Sequence, residues 1–184
     1  MPRGGEVVEV ANRLMDQFDL VVATQDWHPA DHGSFASRHQ GSSVGEVIEL
    51  NGLAQLLWPD HCVQNTPGAA FAAGLRIDRV ERVFAKGTDS GIDSYSGFYD
   101  NGHRKSTGLG KYLKDRGVDE VCIVGLATDY CVKFTALDSR REGFHTKVVL
   151  DGVRGVDVEP GDVDTALREL KDAGVELVDS TDIV

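Results

Sequence analysis

One cysteine, one lysine, one aspartate and two histidines stand where their side chains can do chemistry. Cys131 lies in Gly125-Leu126-Ala127-Thr128-Asp129-Tyr130-Cys131-Val132, after the apolar run Val121-Cys122-Ile123-Val124 and before Phe134, Leu137 and Arg141 at helical spacing. A short, mostly β-branched run bounded by charge and glycine reads as a buried parallel strand, so Cys131 falls at a strand-to-helix junction. Thr128 or Asp129 is a candidate N-cap, and Arg140 and Arg141 followed by Gly143 form a C-terminal signal. In a first helical turn, unpaired N–H groups and the positive dipole end favour the thiolate, which is the nucleophilic form. A small cysteine packing the helix against the sheet serves the same spacing equally well.

Asp26-Trp27-His28 sets a carboxylate and an imidazole two apart in an extended segment, and Trp58-Pro59-Asp60-His61 adds a second histidine in a proline-fixed turn. One aspartate and two histidines make a sensible ligand set for Zn²⁺, Fe²⁺ or Mn²⁺ with positions left for water. Taken alone, Asp-x-His is more often ordinary loop polarity. His32 is either another ligand or merely exposed, while His39, His103 and His145 read as surface residues. Lys86 closes an apolar strand; facing Cys131, its ammonium would stabilise a thiolate and a developing oxyanion, and otherwise it is a solvated charge. Trp58, Tyr95 and Phe98 either line a flat aromatic pocket or pack in the core. Cys122 reads as inert in mid-strand, and Cys62 as buried or oxidation-prone.

The elements that must position these groups alternate. A helix is expected over Glu6 to Asp16 and a strand over Leu20 to Ala23. A long glycine-rich loop from Ala30 to Leu57 comes next, then a strand over Val80 to Ala85 and irregular chain to Asn101. The rest reads as a helix over Gly108 to Arg116, the Val121 strand, a helix over Asp129 to Glu142, a strand over Lys147 to Leu150, a helix over Pro160 to Ala173 and a strand over Val175 to Val178. Alternation of this kind implies a three-layer α/β/α domain around a mostly parallel sheet, with ligands beyond the carboxyl ends of the strands. Asp26, His28, Lys86 and Cys131 all follow strands.

The 184 residues suit a single domain over 1–184. A net charge of −11 argues against nucleic acid or an anionic membrane as partner and for a small neutral or cationic substrate. Three cysteines without a CxxC pair suggest a reducing, cytoplasmic setting, and no apolar run approaches the length of a membrane span.

Together these stretches, with Asp93-Ser94-Tyr95-Ser96-Gly97-Phe98 and Asp151-Gly152-Val153-Arg154-Gly155-Val156, resemble the nicotinamidase branch of the isochorismatase-like cysteine hydrolases over nearly the whole chain. The resemblance implies hydrolysis of nicotinamide to nicotinate and ammonia in NAD salvage, with pyrazinamide as a surrogate, on a six-stranded parallel sheet. It implies one divalent metal ion, zinc first and iron or manganese next, on Asp26, His28 and His61. Cys131 would be the nucleophile and Lys86 its cationic partner. The N–H groups of Ala127 and Cys131 would hold the oxyanion beside a cis peptide at Leu126-Ala127, with Trp58, Tyr95 and Leu126 around the substrate. Members begin with a strand ending in a D-x-Q-x-D-F-like motif whose first aspartate is the general base, and this sequence has no match to it. Met1-Pro2-Arg3-Gly4-Gly5 resembles the turn that follows that motif. The expectation is a natural protein longer than this chain, and for the chain itself low turnover and a homo-oligomer that compensates for a missing central strand. Two other functions stand beside the first: hydrolysis of another small amide, and metal binding or protein interaction without catalysis.

Overall fold

The computed structural model describes residues 3–183. Chain order is α1 (Val7–Leu14), β1 (Val22–Asp26), β2 (Val47–Leu50), β3 (Leu53–Leu56), β4 (Arg82–Lys86), α2 (Leu109–Asp115), β5 (Glu120–Leu126), α3 (Lys133–Arg141), β6 (His145–Arg154), α4 (Asp162–Asp172) and β7 (Glu176–Val178). The α/β class with parallel strands is as expected. Among the described residues the five parallel strands form two sheets, β1-β4 and β5-β6-β7, and β1 and β5 share no hydrogen-bond ladder; the expectation for this chain is a sheet without its first central strand.

Val7, Ala11 and Leu14, spaced i, i+4 and i+7, give α1 one buried stripe, which packs across β5 and β6. Val148 and Val149 of β6 are fully buried, as suits the middle strand of three covered on both faces. Val148 forms one apolar cluster with Ile123, Val132, Ala136, Val153, Leu170 and Val175. Burial of each large aliphatic side chain stabilises the fold by about 1.5–3 kcal/mol. A second cluster joins Phe84 of β4 to Phe98, Leu109, Tyr112, Leu113 and Phe144. Phe98 therefore belongs to the core and not to an aromatic pocket.

Two expectations are corrected. The stretch read as loop from Ala30 to Leu57 contains the antiparallel hairpin β2-β3. Its turn, Asn51-Gly52, has positive φ at both residues (50° and 84°), the conformation that matches the twist of a two-residue hairpin. The helix expected from Asp129 begins instead with a π-helical turn, Thr128–Val132, before α3. Neither Thr128 nor Asp129 caps it. Asp129, 4% exposed, accepts hydrogen bonds from the backbone N–H groups of Val156 (2.9 Å) and Asp157 (2.7 Å), clamping the turn to the chain leaving β6. Gly155 permits that approach, since a Cβ there would stand 2.1 Å from Val163 Cγ2 and 3.2 Å from Asp129 Oδ1. The C-terminal signal of α3 is as expected: Gly143 has φ 96°, and Arg140 donates to the carbonyl of Phe144.

Candidate active site

Register decides the first contact. β1 and β4 pair in parallel with Asp26 opposite Lys86, so the carboxylate and the ammonium leave the same end of two neighbouring strands. Lys86 Nζ donates to Asp26 Oδ1 (2.5 Å), to the carbonyl of Ser94 (2.8 Å) and to Cys131 Sγ (3.3 Å). Lys86 is 4% exposed. Burial pushes its ammonium towards the neutral form, but Asp26 and Cys131 outweigh this and leave it above the ordinary lysine range, so Lys86 is a fixed cation. Burial likewise pushes the Asp26 carboxyl up, and Lys86, with His28 and His61, holds it below the usual carboxylate range.

Cys131 behaves otherwise than expected. Its burial in the π-helical turn pushes the thiol up to about 11, with Lys86 pulling in the opposite direction. The resting group is therefore a thiol, because desolvation exceeds what one ammonium returns. A raised pKa means that the thiolate fraction grows as pH rises through neutrality. Iodoacetamide should therefore modify Cys131 in the metal-free protein about tenfold faster per pH unit between pH 7 and 9, as followed by peptide mass mapping. A plateau below pH 8 would contradict this.

Beside the lysine, ligating atoms of Asp26, His28 and His61 lie within 4.8 Å of one another. His28 Nδ1 is 2.9 Å from the carbonyl of Gly87 and His61 Nδ1 is 2.8 Å from that of Pro59. A carbonyl partner fixes the proton on Nδ1 and leaves each Nε2 lone pair free, the arrangement a ligating histidine needs. The donor set fits a divalent ion. His28, His32 and Asp93 form a second such group. His32 is fully buried and not exposed. Its Nδ1 lies 2.7 Å from Ser34 Oγ and 3.2 Å from the backbone nitrogen of Ser34, and its Nε2 is a buried atom without a hydrogen-bond partner.

Ala127 is buried at the end of β5, and the Leu126-Ala127 peptide is cis. Leu126 is 41% exposed at the rim. Trp58 and Tyr95 meet edge to face with ring centroids 6.4 Å apart. Trp58 Nε1 (3.2 Å) and Gln55 Nε2 (3.1 Å) both donate to the Tyr95 hydroxyl. All the residues singled out for chemistry thus converge on one end of the parallel strands. Two neighbours were missed. Gln55 sits on the hairpin read as loop, whose signal was Asn51-Gly52. Tyr130, whose ring lies 4.7 Å from that of Trp58 and 5.4 Å from that of Tyr95, stands next to the cysteine. Its direction depends on the π-helical turn, which the sequence does not announce. His103, His39 and His145 lie outside the cluster; His103 instead meets Asp138 at 3.4 Å.

The family model of the isochorismatase domain matches residues 1–182. The chain belongs to the isochorismatase domain family. Within it, a nicotinamidase from Escherichia coli is 48% identical over 181 residues, covering 96% of this chain and 84% of the relative. The solved structure of an Acinetobacter nicotinamidase/pyrazinamidase is 42% identical with a TM-score of 0.95, covering 98% of this chain and 87% of that one. A pyrazinamidase of Pyrococcus horikoshii, solved in complex with zinc, is 37% identical with a TM-score of 0.77, covering 97% and 88%. Like the expectation from apolar run length, no helix among the described residues of this isochorismatase-family chain is long and apolar enough to cross a membrane.

Proposed function

We propose that this chain is a cysteine amidohydrolase that converts nicotinamide to nicotinate and ammonia, in salvage of NAD precursors, and accepts pyrazinamide as a surrogate. The observation that carries the reading is the triple contact of Lys86 Nζ with Asp26, Ser94 and Cys131, a fixed cation held against a nucleophilic sulfur. Its support is the similarity to nicotinamidases.

Cys131 Sγ attacks the amide carbon. The C–N bond then breaks, the sulfur's proton ends on the departing nitrogen as ammonia, and water cleaves the thioester to nicotinate and the free thiol. Lys86 lowers the energy of the thiolate, and the N–H groups of Ala127 and Cys131 hold the oxygen as it becomes anionic. Asp26 keeps Lys86 charged and oriented. Trp58, Tyr95 and Leu126 bound the ring. Asp26, His28 and His61 would hold a divalent metal, zinc first and iron or manganese next, which when bound would supply a Lewis acid for a ring nitrogen or a water. The chain acts as one domain over 1–184, and its free cysteines suit a reducing, cytoplasmic compartment. It assembles as a homo-oligomer.

The test is release of ammonium and nicotinate in equal amounts from nicotinamide by the zinc-loaded protein. The reading is refuted if folded, metal-loaded protein releases neither, both as this chain and with an N-terminal extension that carries the general-base aspartate.

A further inference from the structure

Phe35 follows His32-Gly33-Ser34 in a polar loop, yet it is 0% exposed. Among the described residues it belongs to neither apolar cluster of the core. The rings around it are imidazoles. Its centroid lies 5.7 Å from that of His28, 5.5 Å from that of His32 and 5.6 Å from that of His61, with the His28 and His61 planes inclined to its own by 88° and 62°. These separations are those of favourable aromatic pairs. The backbone sets the ring there. Trp58 donates its N–H to the carbonyl of Ser34 (2.8 Å) and Ala36 donates to the carbonyl of Trp58 (2.9 Å), which laces this loop to the turn that carries His61.

His28 and His61 each have one fixed edge, the Nδ1 held by a carbonyl. One hydrogen bond still lets an imidazole tilt, and a tilt moves Nε2 away from the point where a shared ion would sit. A fully buried ring packed against both imidazoles removes that freedom before any metal arrives. His61 has more to lose, because it is half-buried on a proline turn while His28 is 1% exposed.

We propose that Phe35 is a positioning residue for the metal site: its ring holds the His28 and His61 imidazoles in the orientation that binds a divalent ion, and so sets the affinity for that ion. The proposal rests on the metal reading of Asp26, His28 and His61 made above. Groups that orient ligating histidines change metal affinity by about 10–100-fold when they are removed.

Zinc affinity is measured by competition with a chromophoric chelator in the wild type, in Phe35→Leu and in Phe144→Leu. Phe144 is the control for a merely structural effect: it is 3% exposed, belongs to the second core cluster and stands just before β6, at the end of the strand remote from the site. Phe35→Leu should bind zinc about tenfold or more weakly than wild type, and Phe144→Leu within about twofold of it. Phe35→Met fills the same space with a flexible chain and no ring; it should lose as much as Phe35→Leu and replaces it if leucine prevents folding. A loss smaller than tenfold in the Phe35 variants, or an equal loss in Phe144→Leu, overturns the proposal and leaves the metal reading standing. Wild-type protein that takes up no zinc refutes the metal reading, and the proposal with it. Affinity is read without substrate, so neither outcome depends on turnover of nicotinamide.

Discussion

Replacing Cys131 by alanine lowers nicotinamide hydrolysis by about 10⁴-fold or more, since removal of a nucleophile leaves only binding and oxyanion stabilisation. The fold should tolerate it. The sulfur's contact is one long hydrogen bond from Lys86 (3.3 Å), and that lysine keeps its partners Asp26 and Ser94. Thermal unfolding of Cys131→Ala should stay within a few degrees of wild type while ammonium release falls by that factor. Activity within tenfold of wild type would remove Cys131 from the chemistry.

Lys86→Met has the second largest effect, and it acts on stability and activity together. Methionine matches the stem of the lysine but leaves Asp26 as a carboxylate without its cation. Breaking a buried pair from one side costs about 3–5 kcal/mol. Asp26 keeps 23% side-chain exposure, so the lower end of that range applies. Lys86 also opposes the rise of the Cys131 thiol pKa, so its loss pushes the thiol further up and leaves less thiolate at neutral pH. We expect a loss of at least 100-fold in kcat with a clear fall in denaturation midpoint. The pH sign follows: the residual rate of Lys86→Met should climb with pH over a higher window than that of wild type. An unchanged pH profile would mean that the ammonium does not act on the sulfur.

The parts of this site that sit at strand ends were legible because a strand end is a local signal. Asp26, Lys86 and Cys131 each follow a short apolar run, and parallel pairing then brings such positions together. What the sequence could not announce was state and direction. The thiol is raised and not lowered, because desolvation depends on how deeply the turn is buried and not on its place at a helix start. His32 read as either a further ligand or an exposed loop residue, and it is fully buried. Its environment is made by residues far along the chain, among them Asp93. The hairpin at Asn51-Gly52 carried a readable turn signal that the polar sequence before it masked.

The central claim is an acyl thioester on Cys131, and partitioning tests it most directly. Nicotinamide and methyl nicotinate are each hydrolysed in the presence of hydroxylamine, and the ratio of nicotinohydroxamate to nicotinate is measured. A common thioester forgets its leaving group, so the two substrates should give the same ratio. Different ratios, or no hydroxamate from either, would contradict a covalent intermediate and with it the role assigned to Cys131.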